Sequence, residues 1–194
     1  MVEAIEQRGT DDGAAEAALA AAARHDVRAF APLYERYAAR VYRYCYLRLG
    51  HRQEAEDATS LTFVRALAAL PGYRGGSFAG WLFAIAHNVT VNSARRPPEQ
   101  PLDTAFHLAD GAASPEDRLL AAETVRRLRA LLLRLSDDQR RVLELRLAGL
   151  TGPEIAAALG RSVGAVRVLQ FRALARLRAL PETADLCEGD HRGR

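Results

Sequence analysis

Apolar positions along this 194-residue chain recur mostly in steps of three and four, so the whole chain reads as helical. In the first half they fall at Val27, Phe30, Leu33, Tyr34, Tyr37, Val41, Tyr44, Cys45 and Leu49. That spacing predicts one amphipathic helix, opened by Asp26 as N-cap and closed by Gly50. A second helix is predicted over residues 52–70, with Ala55, Ala58, Leu61, Thr62 and Leu67 on its inner face. The stretch "LPGYRGGS" then breaks the pattern with one Pro and three Gly, and reads as a loop. A third helix follows over residues 77–95. Phe78, Trp81, Leu82, Ile85 and Val89 form one stripe, with His87, Asn88, Val91 and Arg95 on the other side. Ahead of these three, residues 1–25 form a leader. Its "AAEAALAAAARH" favours helix but offers little to anchor one.

Periodicity lapses over residues 97–113, a stretch rich in proline with mixed charge. A structureless loop of that length is awkward inside one compact domain, so it is expected to link two domains. The second domain, residues 114–180, starts at Ser114-Pro115-Glu116, a cap, a first-turn Pro and an acid suited to a helix N-terminus. Leu119, Leu120, Val125, Leu128, Leu131, Leu132 and Leu135 carry that helix. Ser136 caps the next, and Gly149 stops it. Thr151 and Glu154 form a capping box for a very short helix that Gly160 ends. Ser162 then caps a last helix running to about Leu180. The expected fold is all-α: two small helical domains, 26–96 and 114–180, each folding on its own, with a tail at 181–194.

A short helix, a tight Gly turn and a longer basic helix make a helix-turn-helix. Ala156, Ala157 and Ala158 are small enough for the first helix to cross the second closely. Val166, Leu169, Ala173 and Leu177 give the second helix an inner side. Gly164, Arg167, Val168, Phe171, Arg172 and Ala175 then face outward, where DNA would lie. Arg167, in the second turn, is the candidate for bidentate contact with guanine, and Val168 and Phe171 for thymine methyls. Arg172 would reach a base or phosphate, Arg176 and Arg178 phosphates. Ser162 brings helix N-terminal N–H groups to a phosphate.

Charge supports an anionic partner for this half. Residues 115–180 hold 13 Arg against 7 acids, whereas residues 1–70 hold 9 against 10. Every basic residue is Arg, whose planar fork suits phosphate and guanine. The two cysteines, Cys45 and Cys187, are too few for a disulfide framework. Cys187 with His191 supplies only two potential ligands, so no metal or other cofactor is expected. No 18-residue apolar run predicts a membrane span, and the acidic N-terminus is unlike a signal peptide, which together indicate a cytoplasmic protein. There is no Gly-rich phosphate loop and no nucleophile with an evident base, so the chain is not expected to be an enzyme.

Two stretches carry a family resemblance. "QEAEDATSLTFVRALAALPGYRGGSFAGWLFAIAHNVTVNSARR" (53–96) resembles the second conserved region of the extracytoplasmic function sigma factors, of the sigma-70 family. "LSDDQRRVLELRLAGLTGPEIAAALGRSVGAVRVLQFRALARLRAL" (135–180) resembles their fourth. The resemblance implies a monomeric subunit that binds core RNA polymerase and promoter DNA, with an anti-sigma factor as a further partner. It places the minus-35 contacts on Ser162, Gly164, Arg167, Val168, Phe171, Arg172 and Arg176. The minus-ten reader maps onto Tyr73, Arg74, Asn88, Arg95 and Arg96, where melting needs polar and stacking groups for an unstacked base. Trp81, on the apolar stripe, is assigned to the core instead. Core polymerase binding maps onto Asp57 of the second helix, with Ser60 and Leu61. There the family has a Gln-Glu pair, so this chain departs from the pattern. Two rival readings stand beside this one: a dimeric helix-turn-helix repressor with a helical sensor domain, and a helical adaptor that does not bind DNA.

Overall fold

The computed structural model describes residues 2–93 and 115–180, so the expectations for Ser114, the 97–113 link, Arg95, Arg96, Cys187, His191 and the tail fall outside the described residues. Eight α-helices are described: α1 (Val2–Ala23), α2 (Ala31–Leu49), α3 (Arg52–Ala69), α4 (Phe78–Ser93), α5 (Pro115–Leu132), α6 (Asp137–Leu147), α7 (Gly152–Leu159) and α8 (Val163–Arg178). Short 3-10 turns at Val27–Phe30 and Leu70–Gly72 introduce α2 and follow α3. The start and stop residues act as their chemistry requires. The Asp26 carboxylate accepts from the Arg28 N–H at 2.9 Å, and Ser77 Oγ accepts from the Gly80 N–H at 2.9 Å. Gly50 closes α2 at φ 81°, in the left-handed region.

Aromatic rings fill the first half. Phe78, 1% exposed, lies 6.4 Å from Phe30, 5.6 Å from Tyr37, 5.7 Å from Tyr73 and 5.4 Å from Trp81, centroid to centroid. The 1–25 segment takes part: Ala20 and Ala23 are buried, and the Tyr37 hydroxyl donates to Glu16 at 2.6 Å. What was read as a leader therefore holds a helix docked on the core. Ala55, Ala58 and Thr62 are buried on α3 as the spacing implies, joined by Thr59, Phe63 and Ala66. Leu61 is the exception, at 38% exposed.

The two halves share one core. Val142, Leu145, Ala148, Leu150, Ile155, Ala156 and Val166 of the second half belong to the same buried cluster as Phe78 and Phe83. A smaller cluster of Leu132, Leu135, Leu143 and Ala173 lies within the second half alone. The junction is α7 lying on α4, and with α2 and α3 also packed on it α4 is buried on more than its predicted stripe. Ala79, Gly80, Phe83, Ala86 and Thr90 are covered as well.

Arginines frame this junction. Arg40 of α2 donates to the Ala148 carbonyl at 3.2 Å and the Gly149 carbonyl at 2.8 Å, with its guanidinium 5.0 Å from the Tyr37 ring centre. Arg48 pairs with Glu144 of α6 at 2.7 Å. Burial pushes the Glu144 carboxyl up, and Arg48, Arg140 and Arg129 pull against it. Arg129 of α5 donates to the Arg48 carbonyl at 3.0 Å, a cation at the C-terminal end of α2. His87, expected on the outer side of its helix, is instead half-buried between α2 and α6. Its Nδ1 lies 3.1 Å from the Tyr44 hydroxyl, and its Nε2 receives an N–H from Arg141. The periodicity placed it off the α4 stripe correctly but could not show that α6 would cover that side.

Phe78→Ala is expected to cost about 3–5 kcal/mol, read as a lower denaturant midpoint at unchanged slope. A second expectation concerns acid. With Arg141 donating to Nε2, neutral His87 carries its proton on Nδ1. Burial, then Arg141 and Arg48, lower its pKa from 6.5 to about 4. The unfolded chain therefore binds the extra proton first. His87's contribution to stability is complete above about pH 6.5, is lost as pH falls toward about 4, and changes no further below that. The parent should lose stability relative to His87→Gln across that window; a constant gap between the two would refute the assignment.

Candidate nucleic-acid and polymerase interface

The helix-turn-helix is built from its caps outward. Thr151 and Glu154 close a reciprocal capping box on α7, and Gly160 at φ 61° supplies the left-handed residue that ends it. The Arg161 guanidinium pairs with Asp138 at 2.7 Å and ties the turn to α6. Ser162 Oγ then accepts the Ala165 N–H at 3.2 Å and opens α8. Val166 and Ala173 of α8 are buried, and Leu169 and Leu177 are half-buried. That side packs on α6 and α7.

The opposite side is open. Gly164, Arg167 and Arg172 are exposed, Val168 is 49% exposed and Phe171 73%. Arg176 extends the same exposed surface toward the C-terminal end of α8. Helix α8 holds four arginines and no acid, and among the described residues none of the four enters an ion pair. A free Phe ring flanked by unpaired guanidiniums is costly to leave in water and suited to a partner with phosphates and flat apolar edges. Gly164 has no heavy atom within 4 Å of where a Cβ would stand, so nothing inside the protein requires glycine there.

The small residues of α7 also serve a second approach: Ala156 is buried, and Ala157 and Ala158 meet α4. A Cβ at Gly80 would lie 2.6 Å from Ala157 Cβ and 3.2 Å from the Ala158 nitrogen. The sequence shows that α7 is narrow; it does not show which helix approaches it.

The loop after α3 is likewise more built than its glycines suggest. Tyr73, which the resemblance offers as a group for an unstacked base, is 4% exposed, so its ring is not open to stack on one. Its ring packs 5.0 Å from Trp81 and 5.7 Å from Phe78, and its hydroxyl donates to the Gly76 carbonyl at 2.7 Å. Gly75 and Gly76, both near φ 90°, let the chain fold back over the ring. Arg24 of the segment after α1 donates to the Tyr73 carbonyl. Arg74 and Asn88 are exposed, Arg74 in the loop and Asn88 on α4. Trp81 is half-buried within the aromatic cluster, as its stripe implied.

On α3 the outward side is one stripe. Asp57 and Ser60 are exposed, Leu61 is partly so, and Val64 is 62% exposed. Gln53 Nε2 donates to Asp57 at 3.3 Å, an i,i+4 contact along the helix. Val64 was missed at sequence level. Its signal was available: it stands three residues from Leu61 and seven from Asp57, on the same helical face. An acid beside exposed aliphatic groups, on a helix whose other side is locked by Ala, Thr and Phe, is an arrangement for docking protein.

Residues 33–97 match Sigma-70 region 2, and residues 125–177 match Sigma-70, region 4. The ECF RNA polymerase sigma factor BldN of Streptomyces coelicolor is 37% identical over 163 residues, covering 80% of this chain and 62% of that protein. The chain thus spans less than two thirds of that relative's length. SigD of Mycobacterium tuberculosis is 35% identical over 173 residues, covering 84% of this chain and 82% of SigD. Among solved structures, CnrH in complex with the cytosolic domain of CnrY superposes with a TM-score of 0.69 at 28% identity, covering 87% of this chain and 98% of CnrH. These relatives stand with the sigma reading rather than the repressor or the adaptor. With both regions present in that order on a matching fold, the chain belongs to the sigma-70 family, among its extracytoplasmic function RNA polymerase sigma factors.

Proposed function

We propose that this protein binds core RNA polymerase through the outer stripe of α3 and directs it to promoters read by α4 and α8. The observation that carries the reading is α8: one side buried on α6 and α7, the other an unpaired arginine face with Phe171 exposed. In this reading Arg167 contacts a base edge of the minus-35 element, with Val168 and Phe171 against thymine methyls. Ser162, Gly164, Arg172 and Arg176 hold the flanking backbone. Gly164 lets that backbone come close.

At the minus-ten element, Asn88 and Arg74 are the described groups available to an unstacked base and its phosphates, with Arg95 and Arg96 following α4. The pinned loop around Tyr73 holds Arg74 in place, a positioning role instead of a stacking one. Asp57, Ser60, Leu61 and Val64 form the polymerase contact. The two domains, 26–96 and 114–180, act as separate modules on the polymerase, and the protein works in the cytoplasm as a monomer. CnrH was solved with the cytosolic domain of CnrY, and a comparable anti-sigma partner is proposed for this chain. Among the described residues no helix is long and apolar enough to cross a membrane.

Run-off transcription on genomic fragments, with purified core polymerase and with or without this protein, tests the function directly. Arg167→Ala should weaken discrimination at one minus-35 position by about 1–3 kcal/mol. A uniform loss on all promoter sequences would make it a phosphate contact. Asp57→Arg should reduce retention on immobilised core enzyme while leaving the thermal unfolding curve in place. Unchanged retention would remove Asp57 from the interface.

A further inference from the structure

Between Tyr73 and Ser77 the chain stands clear of the rest of the protein. Arg74, Gly75 and Gly76 are exposed, and a Cβ at either glycine would meet no heavy atom within 4 Å. Both glycines lie near φ 90°, a region glycine enters at little cost, so this stretch has no side-chain packing of its own to fix its shape. Arg74 is nevertheless the loop's exposed cation. A long side chain serves a site only where the backbone that carries it is held in one orientation.

Three ties hold it. The Tyr73 N–H donates to the Leu70 carbonyl at 3.0 Å, and the Tyr73 hydroxyl donates to the Gly76 carbonyl at 2.7 Å, both within the loop. The third comes from 49 residues away, where the Arg24 guanidinium donates to the Tyr73 carbonyl. That carbonyl belongs to the peptide unit that begins Arg74. The unit is planar and nearly rigid, so a donor held on its oxygen also orients the Arg74 nitrogen at its other end. Neither local tie does this. One acts on the nitrogen of Tyr73, and the other joins its ring to Gly76.

Arg24 stands on firm ground. It follows α1 directly, and its N–H donates to the Ala21 carbonyl at 3.3 Å. Ala20 and Ala23 of α1 are buried. Glu16 accepts the Tyr37 hydroxyl at 2.6 Å and the Arg36 guanidinium at 3.0 Å, which pins α1 to α2. Helix α1 also touches α4. Arg24 itself is an exposed residue, so its side chain can be changed without opening the core.

We propose that Arg24 is a positioning residue for minus-ten recognition: through the Tyr73 carbonyl it sets the direction in which Arg74 leaves the loop, with α1 as its base. This rests on the sigma-factor reading, with Arg74 as a minus-ten contact, and adds a residue that does not itself meet DNA. Arg24 acts on the promoter only by way of Arg74.

The test uses the full-length chain with core polymerase. Arg24→Met removes the donors and keeps an unbranched stem. Arg24→Lys keeps a cation and a donor. Run-off transcription compares templates that differ by one base in the minus-ten element, and a second set that differ by one base in the minus-35 element. Arg24→Met should narrow the spread among the minus-ten templates several-fold. Its minus-35 spread, its retention on immobilised core enzyme and its thermal unfolding curve should match the parent's. Arg24→Lys should recover most of the lost spread. Arg74→Ala completes a double-variant cycle: once Arg74 is gone, Arg24→Met should change the minus-ten spread no further. A parental spread in Arg24→Met, or losses that add in the double variant, would overturn the inference. So would an equal loss on every template. With a salt slope lower by about one, that loss would make Arg24 a phosphate contact; with a lower melting midpoint, a residue of the fold alone. A parent chain without promoter-dependent transcription would overturn the sigma-factor reading and this inference with it, whereas the other outcomes leave that reading standing.

Discussion

Two helices can meet at close to backbone distance only where one lacks a side chain and the other carries a small one, and the crossing of α4 and α7 is such a place. Gly80 on one and Ala157 on the other set the separation. Much else follows from it. Helix α4 is covered on two sides, so its sequence is apolar nearly all round. Helix α7 needs small residues on a side that its own domain does not cover. Polar groups at the margin, Arg40, Arg48, Glu144 and His87, must find partners across the junction, because burial without them would be costly.

The elements were legible in the sequence because their signals are local. Asp26, Ser136, Thr151, Glu154, Gly160 and Ser162 each act within a few residues, and the structure uses each at its expected helix end. The inner side of α8 was readable for the same reason. What could not be read was which surfaces meet. His87 lies off its helix's stripe, and periodicity alone names no neighbour for that side, yet α6 covers it. Tyr73 sat among glycines and looked free, yet those glycines fold the loop over its ring. Leu61 sat at a plausible inner spacing, but Phe63 and Ala66 took that side of α3. In each case a contact between segments distant in sequence, or a loop geometry, decided the outcome.

The arginine-only composition also reads differently with the structure in hand. The planar fork suits phosphate, and on the exposed side of α8 it keeps that meaning. Several arginines instead donate to main-chain carbonyls where helices end: Arg40 to Ala148 and Gly149, Arg129 to Arg48, Arg146 to Leu150. A planar fork with five donors can serve two carbonyls at once, which an ammonium on a flexible stem does less well. One residue type thus serves both the inside of the closed protein and its outward face. Cys45 shows the opposite case, a group with reactivity removed: burial pushes its thiol up to about 12.

The Arg40 clamp has a consequence for how the protein responds to its ionic surroundings. Its nearer partners are two neutral carbonyls and the Tyr37 ring, with the Glu154 carboxylate at 3.9 Å, in a partly buried place where dissolved ions screen poorly. The arginines of α8 face water and would displace counterions from DNA, an exchange that weakens steeply as salt rises. A rise in ionic strength therefore acts unequally on the two. It weakens the hold of an exposed arginine face on a polyanion and leaves the packing of α2 against the α6–α7 turn nearly as firm as before.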